Sequence, residues 1–157
     1  MTTADEPIAA TTLSAAGLSY RLHRHPPART EAELHLTGLD VNTSAKTLAF
    51  VLPDESVVLA AIPGPARLKY AHLARALGVP RSALRSADPD ALAALGMAAG
   101  GVSPVCADPA VRVVIHQTLL DLNVLYCGSG SPDSSIEISP ATLQQLRSDL
   151  LVAELCD

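Results

Sequence analysis

The sequence predicts a mixed α+β domain of the α/β class, and three observations predict it. Apolar runs at 46–52, 57–62, 111–115 and 122–127 have the length and β-branched content of strands. Segments with helix start and stop signals lie between them, without a strict strand–helix–strand repeat. The chain has 157 residues, 48% of them hydrophobic, which suits one packed core and a single domain over 1–157, with 1–7 as a loose tail. Aromatic residues are only 3%, with no Trp and one Phe, Phe50, so that core must be built from Leu, Val, Ile and Ala.

Taken in order, 9–16 reads as a short helix closed by Gly17, and 18–25 as a strand stopped by Pro26-Pro27. At 30–36 a helix is expected, with Thr30 as cap and Glu31 and Glu33 in the first turn, where the helix dipole favours negative charge. The runs 46–52 and 57–62 form a hairpin about the turn Pro53-Asp54-Glu55-Ser56. Residues 69–77 carry Leu73, Ala76 and Leu77 at helical spacing, with Gly78 as the stop. Asp88-Pro89 opens another helix, with Asp88 as cap and Pro89 as its first residue, and Gly96 ends it. Gly100-Gly101-Val102-Ser103-Pro104 is a loop, 111–115 a buried strand, and 122–127 a strand leading into Gly128-Ser129-Gly130. A short strand at 135–138, a helix at 140–147 and a final strand at 150–155 complete the pattern.

The net charge of −5 argues against a general nucleic-acid coat protein, but the charges are unevenly placed. Residues 1–87 hold nine basic and seven acidic side chains, whereas 88–157 hold two and nine. Between Ser56 and Ala87 there is no acid at all, while Arg67, Lys69, Arg75, Arg81 and Arg85 lie there. Either this half favours an anionic ligand, or the asymmetry is that of an ordinary solvated surface. Cys106, Cys127 and Cys156 are odd in number and form no C-x-x-C pair, so neither a disulfide framework nor a zinc cluster is expected. His23 and His25 would share a strand face, but no neighbouring residue in sequence completes a metal site, and neither metal nor cofactor is expected. The N-terminus lacks a signal peptide's basic start and apolar run. No stretch reaches the ~18 apolar residues of a membrane span. The chain reads as soluble and cytoplasmic.

Lys46 is one of only two lysines and opens an apolar strand. A cation there either meets an anion such as a phosphate beside a hydrophobic wall, or snorkels to solvent. The loop 100–104 either presents backbone N–H groups to a phosphate or oxyanion, or is a plain flexible connection. It is not a P-loop, since the Gly-Lys-Ser/Thr ending is absent, and its spacing fails as a dinucleotide fingerprint. Ser103 and Ser129 qualify as nucleophiles only beside a base, and no G-x-S-x-G elbow exists. Cys106 carries no sign of an activated thiolate in the sequence.

In order, these pieces resemble the YbaK/ProX family of editing domains, related to the insertion domain of bacterial prolyl-tRNA synthetases. The matching stretches are His25-Pro26-Pro27 with Thr30-Glu31, Ala45-Lys46-Thr47-Leu48-Ala49-Phe50, Ile62-Pro63-Gly64, and Leu73 through Gly78. Gly100 through Pro104, Gly128-Ser129-Gly130 and Ile138 through Leu143 complete them. The lysine strand and the Gly-Gly-Val-Ser-Pro loop are the specific parts. The resemblance implies a central curved mixed sheet flanked by helices. It also implies hydrolysis of the ester of mischarged tRNA, expected to be tRNA for proline carrying Cys, Ala or another small amino acid. Lys46 would hold the acceptor end, with Gly100, Gly101 and Ser103 at the reacting ester and Val102, Pro104, Gly128 and Gly130 lining the substrate. Water, not a protein nucleophile, would attack. The implied partners are the mischarged tRNA acceptor end and prolyl-tRNA synthetase, with monomer and homodimer both open.

The sequence departs from the family pattern at Lys69 and His116, where an acid is common, at Leu95, where Thr is common, and at Val105-Cys106, where an aromatic residue and then glycine often stand. These departures are expected around the pocket. They leave open a non-catalytic module on the same fold that binds a nucleotide, an amino acid or a protein.

Overall fold

The computed structural model describes residues 6–26 and 41–156. The helix expected at 30–36, and Pro27 with Thr30-Glu31, lie outside the described residues. Among the described residues the chain forms α1 (Ile8–Ala15), β1 (Arg21–Arg24), β2 (Ala45–Val51), β3 (Val57–Pro63) and α2 (Tyr70–Leu77). It continues with β4 (Arg85–Ser86), α3 (Pro89–Ala94), β5 (Arg112–His116), β6 (Leu125–Gly128), β7 (Ser134–Ile138), α4 (Pro140–Leu146) and β8 (Leu151–Ala153). Short 3-10 turns occupy Val41–Thr43, Arg81–Ala83 and Gln117–Asp121.

The expected local signals act where they stand. The Asp88 carboxylate accepts the Ala91 N–H at 2.8 Å and caps α3, with Pro89 in its first turn. Gly78 closes α2 in the left-handed conformation. The β2–β3 hairpin pairs Ala45 with Pro63 through Val51 with Val57. The differences lie at the ends. The strand expected at 18–25 is only β1. The start of 122–127 is taken by the exit from the 3-10 turn, so β6 begins at Leu125 and gains Gly128. Pro7, expected in a loose tail, is buried and leads into α1, whose Ala9 N–H donates to the Ser129 carbonyl.

Two sheets result. A mixed five-stranded sheet, in the order β4-β2-β3-β5-β8, is antiparallel on its β2 side and parallel on its β5 side. An antiparallel three-stranded sheet has the order β1-β7-β6. One core lies beneath the smaller sheet, where Leu13, Leu125, Ile136 and Leu143 meet Ile115. A second lies under α2, where Leu73 and Leu77 pack on Phe50, Val58, Ile62 and Leu155. A third joins Leu59 and Val113 to Leu92, Met97 and Cys106. As the composition demands, these interiors are almost wholly aliphatic. No described helix is long and apolar enough to cross a membrane.

Candidate functional site

The site begins where the two sheets part. One edge of β2 pairs with β3 along its whole length. On the other edge Phe50 and Val51 pair with β4, and Ser44, just before β2, makes a single parallel bridge to Tyr126 of β6. Both chains run in the same direction from that bridge, so Lys46 and Gly128 each lie two residues beyond it. Ala45 is buried with Leu125, Cys127 and Ile136 on the inner side. Strand alternation therefore turns Lys46, Tyr126 and Gly128 to the outer side together.

The glycine loop lies against this point. A side chain on Gly128 would place its Cβ 2.1 Å from the Val102 carbonyl oxygen, and one on Gly101 would sit 2.4 Å from the Ser131 carbonyl carbon. Neither backbone can approach so closely with any residue but glycine. The Gly130 N–H donates to the Gly101 carbonyl at 2.6 Å, the Ala98 N–H to the Gly130 carbonyl at 2.8 Å, and the Gly101 N–H to the Ala98 carbonyl at 3.0 Å. The two loops are thus interlocked main chain to main chain. The interlock engages the Gly101 and Gly130 amides, so both already donate within the fold. The amides of Gly100 and Val102 take no part in it.

Lys46 is exposed, and its Nζ donates to the Ala66 carbonyl at 2.6 Å. It lines a cleft of about 610 Å³ with Arg67, Lys69, Tyr70, His72 and Arg81. Beside the gap, on β7, Glu137 pairs in register with Tyr126. Its carboxylate lies 2.7 Å from His23 Nε2, and the His23 ring meets the Tyr126 ring edge-on at 5.6 Å. His25 Nε2 lies instead 2.8 Å from the Ser135 hydroxyl. Among the described residues no three His, Cys, Asp or Glu side chains are grouped as a metal site. The sequence reading missed Glu137 and Tyr70, and named Arg81 only as one of the cations of the acid-free stretch. Glu137 alternates with Ser135 on β7, and its side-chain partner His23 is more than a hundred residues away. Tyr70 and Arg81 sit in the acid-free stretch, which gave a charge but no geometry.

Several expected site residues are buried or engaged within the fold. Ser103 is fully buried, and its Oγ accepts the Val105 N–H at 3.0 Å, fixing the turn rather than facing an ester. Pro104 is buried beside it, whereas Val102 is half-buried and packs into the third core. The Ser129 hydroxyl is buried among Ser131 and Ser134. Cys106 is buried, and desolvation pushes its thiol up, the opposite of an activated nucleophile. Its carbonyl accepts from Arg147, whose buried guanidinium also holds the carbonyls of Asp108 and Val111. Of the departures expected around the pocket, His116 is 4% exposed and its Nδ1 accepts the Leu155 N–H at 2.9 Å. Leu95, like Cys106, belongs to the third core. Lys69 alone of these positions lines the open cleft.

The comparisons agree with this architecture. The family model described as an aminoacyl-tRNA editing domain matches residues 25–146. A solved hypothetical protein, APE2540, is similar at 29% identity with a TM-score of 0.81, over 96% of this chain and 99% of that one. A candidate trans-editing enzyme for prolyl-tRNA synthetase is similar at 27% identity with a TM-score of 0.80, over 96% of this chain and 98% of that one. A candidate signal transduction protein from Marinobacter aquaeolei VT8 shares the fold alone, at 11% identity and a TM-score of 0.68, over 94% of this chain and 30% of that one. With the lysine strand and the interlocked glycine loops in their expected order, and the family model spanning most of its length, the chain belongs to the aminoacyl-tRNA editing domain family.

Proposed function

We propose that the protein is a trans-acting deacylase that hydrolyses the ester of mischarged tRNA. The amino acid is Cys, Ala or another small one, on tRNA for proline. The observation that carries this reading is that Lys46 and the Gly101–Gly128 interlock face the same outer side, next to the gap between the sheets. An acceptor end needs a cation for its phosphates and a rigid polar main chain for its ester, and both stand here. The name of the candidate trans-editing enzyme supports the choice of tRNA.

Because Ser103, Ser129 and Cys106 are buried and engaged, water is the nucleophile. It adds to the ester carbonyl, the bond to the ribose oxygen breaks, and the water's proton ends on the released ribose hydroxyl. An aminoacyl ester is already activated, so positioning and stabilisation of the developing oxyanion supply the acceleration. The oxyanion donors are the Gly100 and Val102 amides. Glu137, held by His23, supplies a counter-charge for the substrate's α-ammonium group. Lys46 contributes binding and electrostatics rather than proton transfer. The partners are the tRNA acceptor end and, through it, prolyl-tRNA synthetase.

The experiment is release of amino acid from a panel of mischarged tRNAs by the wild type and Lys46→Ala. The expected result is multiple turnover by the wild type and at least a tenfold loss in Lys46→Ala, with an unchanged circular dichroism spectrum. The engaged Gly101 and Gly130 amides also suit a second reading, a binding module without turnover. Saturable tRNA binding by a wild type that releases no amino acid would establish that module and reject the deacylase.

A further inference from the structure

Tyr70 is the most exposed aromatic ring described, at 40%, and it stands at the start of α2 on the wall of the basic cleft. Its position is fixed from two sides. Phe50 meets it edge-on at 5.7 Å from within the core, and the Arg81 guanidinium lies 5.8 Å from its ring centroid. An exposed phenol costs little to leave in water, but a ring braced by the core, with a guanidinium over one face, is pre-organised as a flat stack. Lys46, Arg67, Lys69 and His72 line the same cleft. Cations around a stacking surface are what a single strand of nucleic acid needs, because its phosphates take the charges and its unpaired bases take the ring. A free phosphate or a carboxylate ligand would have no use for the ring.

We infer that the cleft between Lys46 and Arg81 is a single-strand RNA subsite, in which a nucleobase stacks on the Tyr70–Arg81 surface while flanking phosphates engage Lys46 and Arg67. The inference rests on the deacylase reading only in naming the strand as the unpaired 3′ end of a tRNA. Lys46 borders both the cleft and the gap at Gly128. A strand anchored on Tyr70 and passing Lys46 therefore delivers its terminal ribose toward the glycine interlock. Tyr70 and Arg81 are positioning residues here, since neither touches the ester.

The test is binding of a short fluorescein-labelled single-stranded RNA ending in CCA to the whole protein, read by anisotropy across a salt series. Tyr70→Ala should weaken binding about tenfold, within the range seen for loss of one base–aromatic stack, while Tyr70→Phe keeps it. Arg81→Lys keeps the charge but loses the planar surface, and should weaken binding while leaving the salt slope unchanged. Lys46→Ala should lower the slope of log affinity against log salt by about 0.7, one phosphate contact on a single strand. An RNA of the same length without bases at its 3′ end should bind the wild type as weakly as the CCA strand binds Tyr70→Ala. Equal binding of the two RNAs, or a Tyr70→Ala protein that melts like the wild type and binds equally well, overturns the inference. The deacylase reading is scored separately by the mischarged-tRNA panel. Turnover with an indifferent Tyr70 rejects this subsite alone, and Tyr70-dependent RNA binding without turnover rejects the deacylase alone.

Discussion

Thr47 and Lys46 are neighbours on β2 with opposite fates. Lys46 is exposed and engages a carbonyl, whereas the Thr47 hydroxyl is buried without a hydrogen-bond partner among the described residues. Burying an unpaired hydroxyl costs about 1–3 kcal/mol. Thr47→Val should therefore raise stability by about 1 kcal/mol, read as a higher denaturant midpoint with an unchanged slope. His116 offers a second test at this scale. Burial disfavours its charged form, so its folded pKa lies below the ordinary 6.5. As pH falls through 6.5 the unfolded chain takes up the proton first, and stability should decline until the folded pKa is passed. Protonation also removes the Nδ1 lone pair that accepts the Leu155 N–H. His116→Asn, which keeps a short acceptor but cannot titrate, should show a smaller loss of melting temperature between pH 7 and pH 5. An identical decline in both proteins would assign the acid sensitivity to other groups.

Among the elements, the interlock of the two glycine loops is the most exacting feature. Gly128→Ala places a methyl group 2.1 Å from the Val102 carbonyl oxygen, with backbone on both sides of the clash. The loops must separate, at a cost of about 1–3 kcal/mol or more. The expected outcome is a lowered melting temperature together with loss of deacylation, even if RNA binding at Tyr70 persists. The elements themselves were largely legible in the sequence. The β2–β3 hairpin, the Asp88-Pro89 start of α3 and the Gly78 end of α2 are local signals, and the chain obeys them locally. The pairing of β1 with β7 was not legible, because its register joins Arg21 to Glu137 with nothing in either segment to name the other. The 3-10 turn at Gln117–Asp121 was likewise hidden, since it falls between the runs at 111–115 and 122–127, where the sequence predicts no element.

Over the whole molecule, the uneven charge of the sequence has a spatial meaning. Arg67, Lys69 and Arg81 come from the acid-free stretch and converge with Lys46 on one cleft. The sequence displayed the cations and the glycines separately. It could not display that a single bridge at Ser44 and Tyr126 sets Lys46 and Gly128 beside the same gap. For the same reason Ser103 looked available, although tertiary packing buries it completely. Single-residue chemistry was readable, and the face each residue presents was not.

Leu155 gives both of its main-chain polar groups to distant partners: its N–H to His116, and its carbonyl to the N–H of Lys69 at the head of α2. During synthesis, therefore, the arginines and lysines of the cleft leave the ribosome long before the segment that pins their helix in place. Until then the N–H of Lys69 lacks its Leu155 partner, and the cations that flank α2 are not yet held in their final arrangement. The cleft is therefore complete only once the distal half of the polypeptide has been translated and docked.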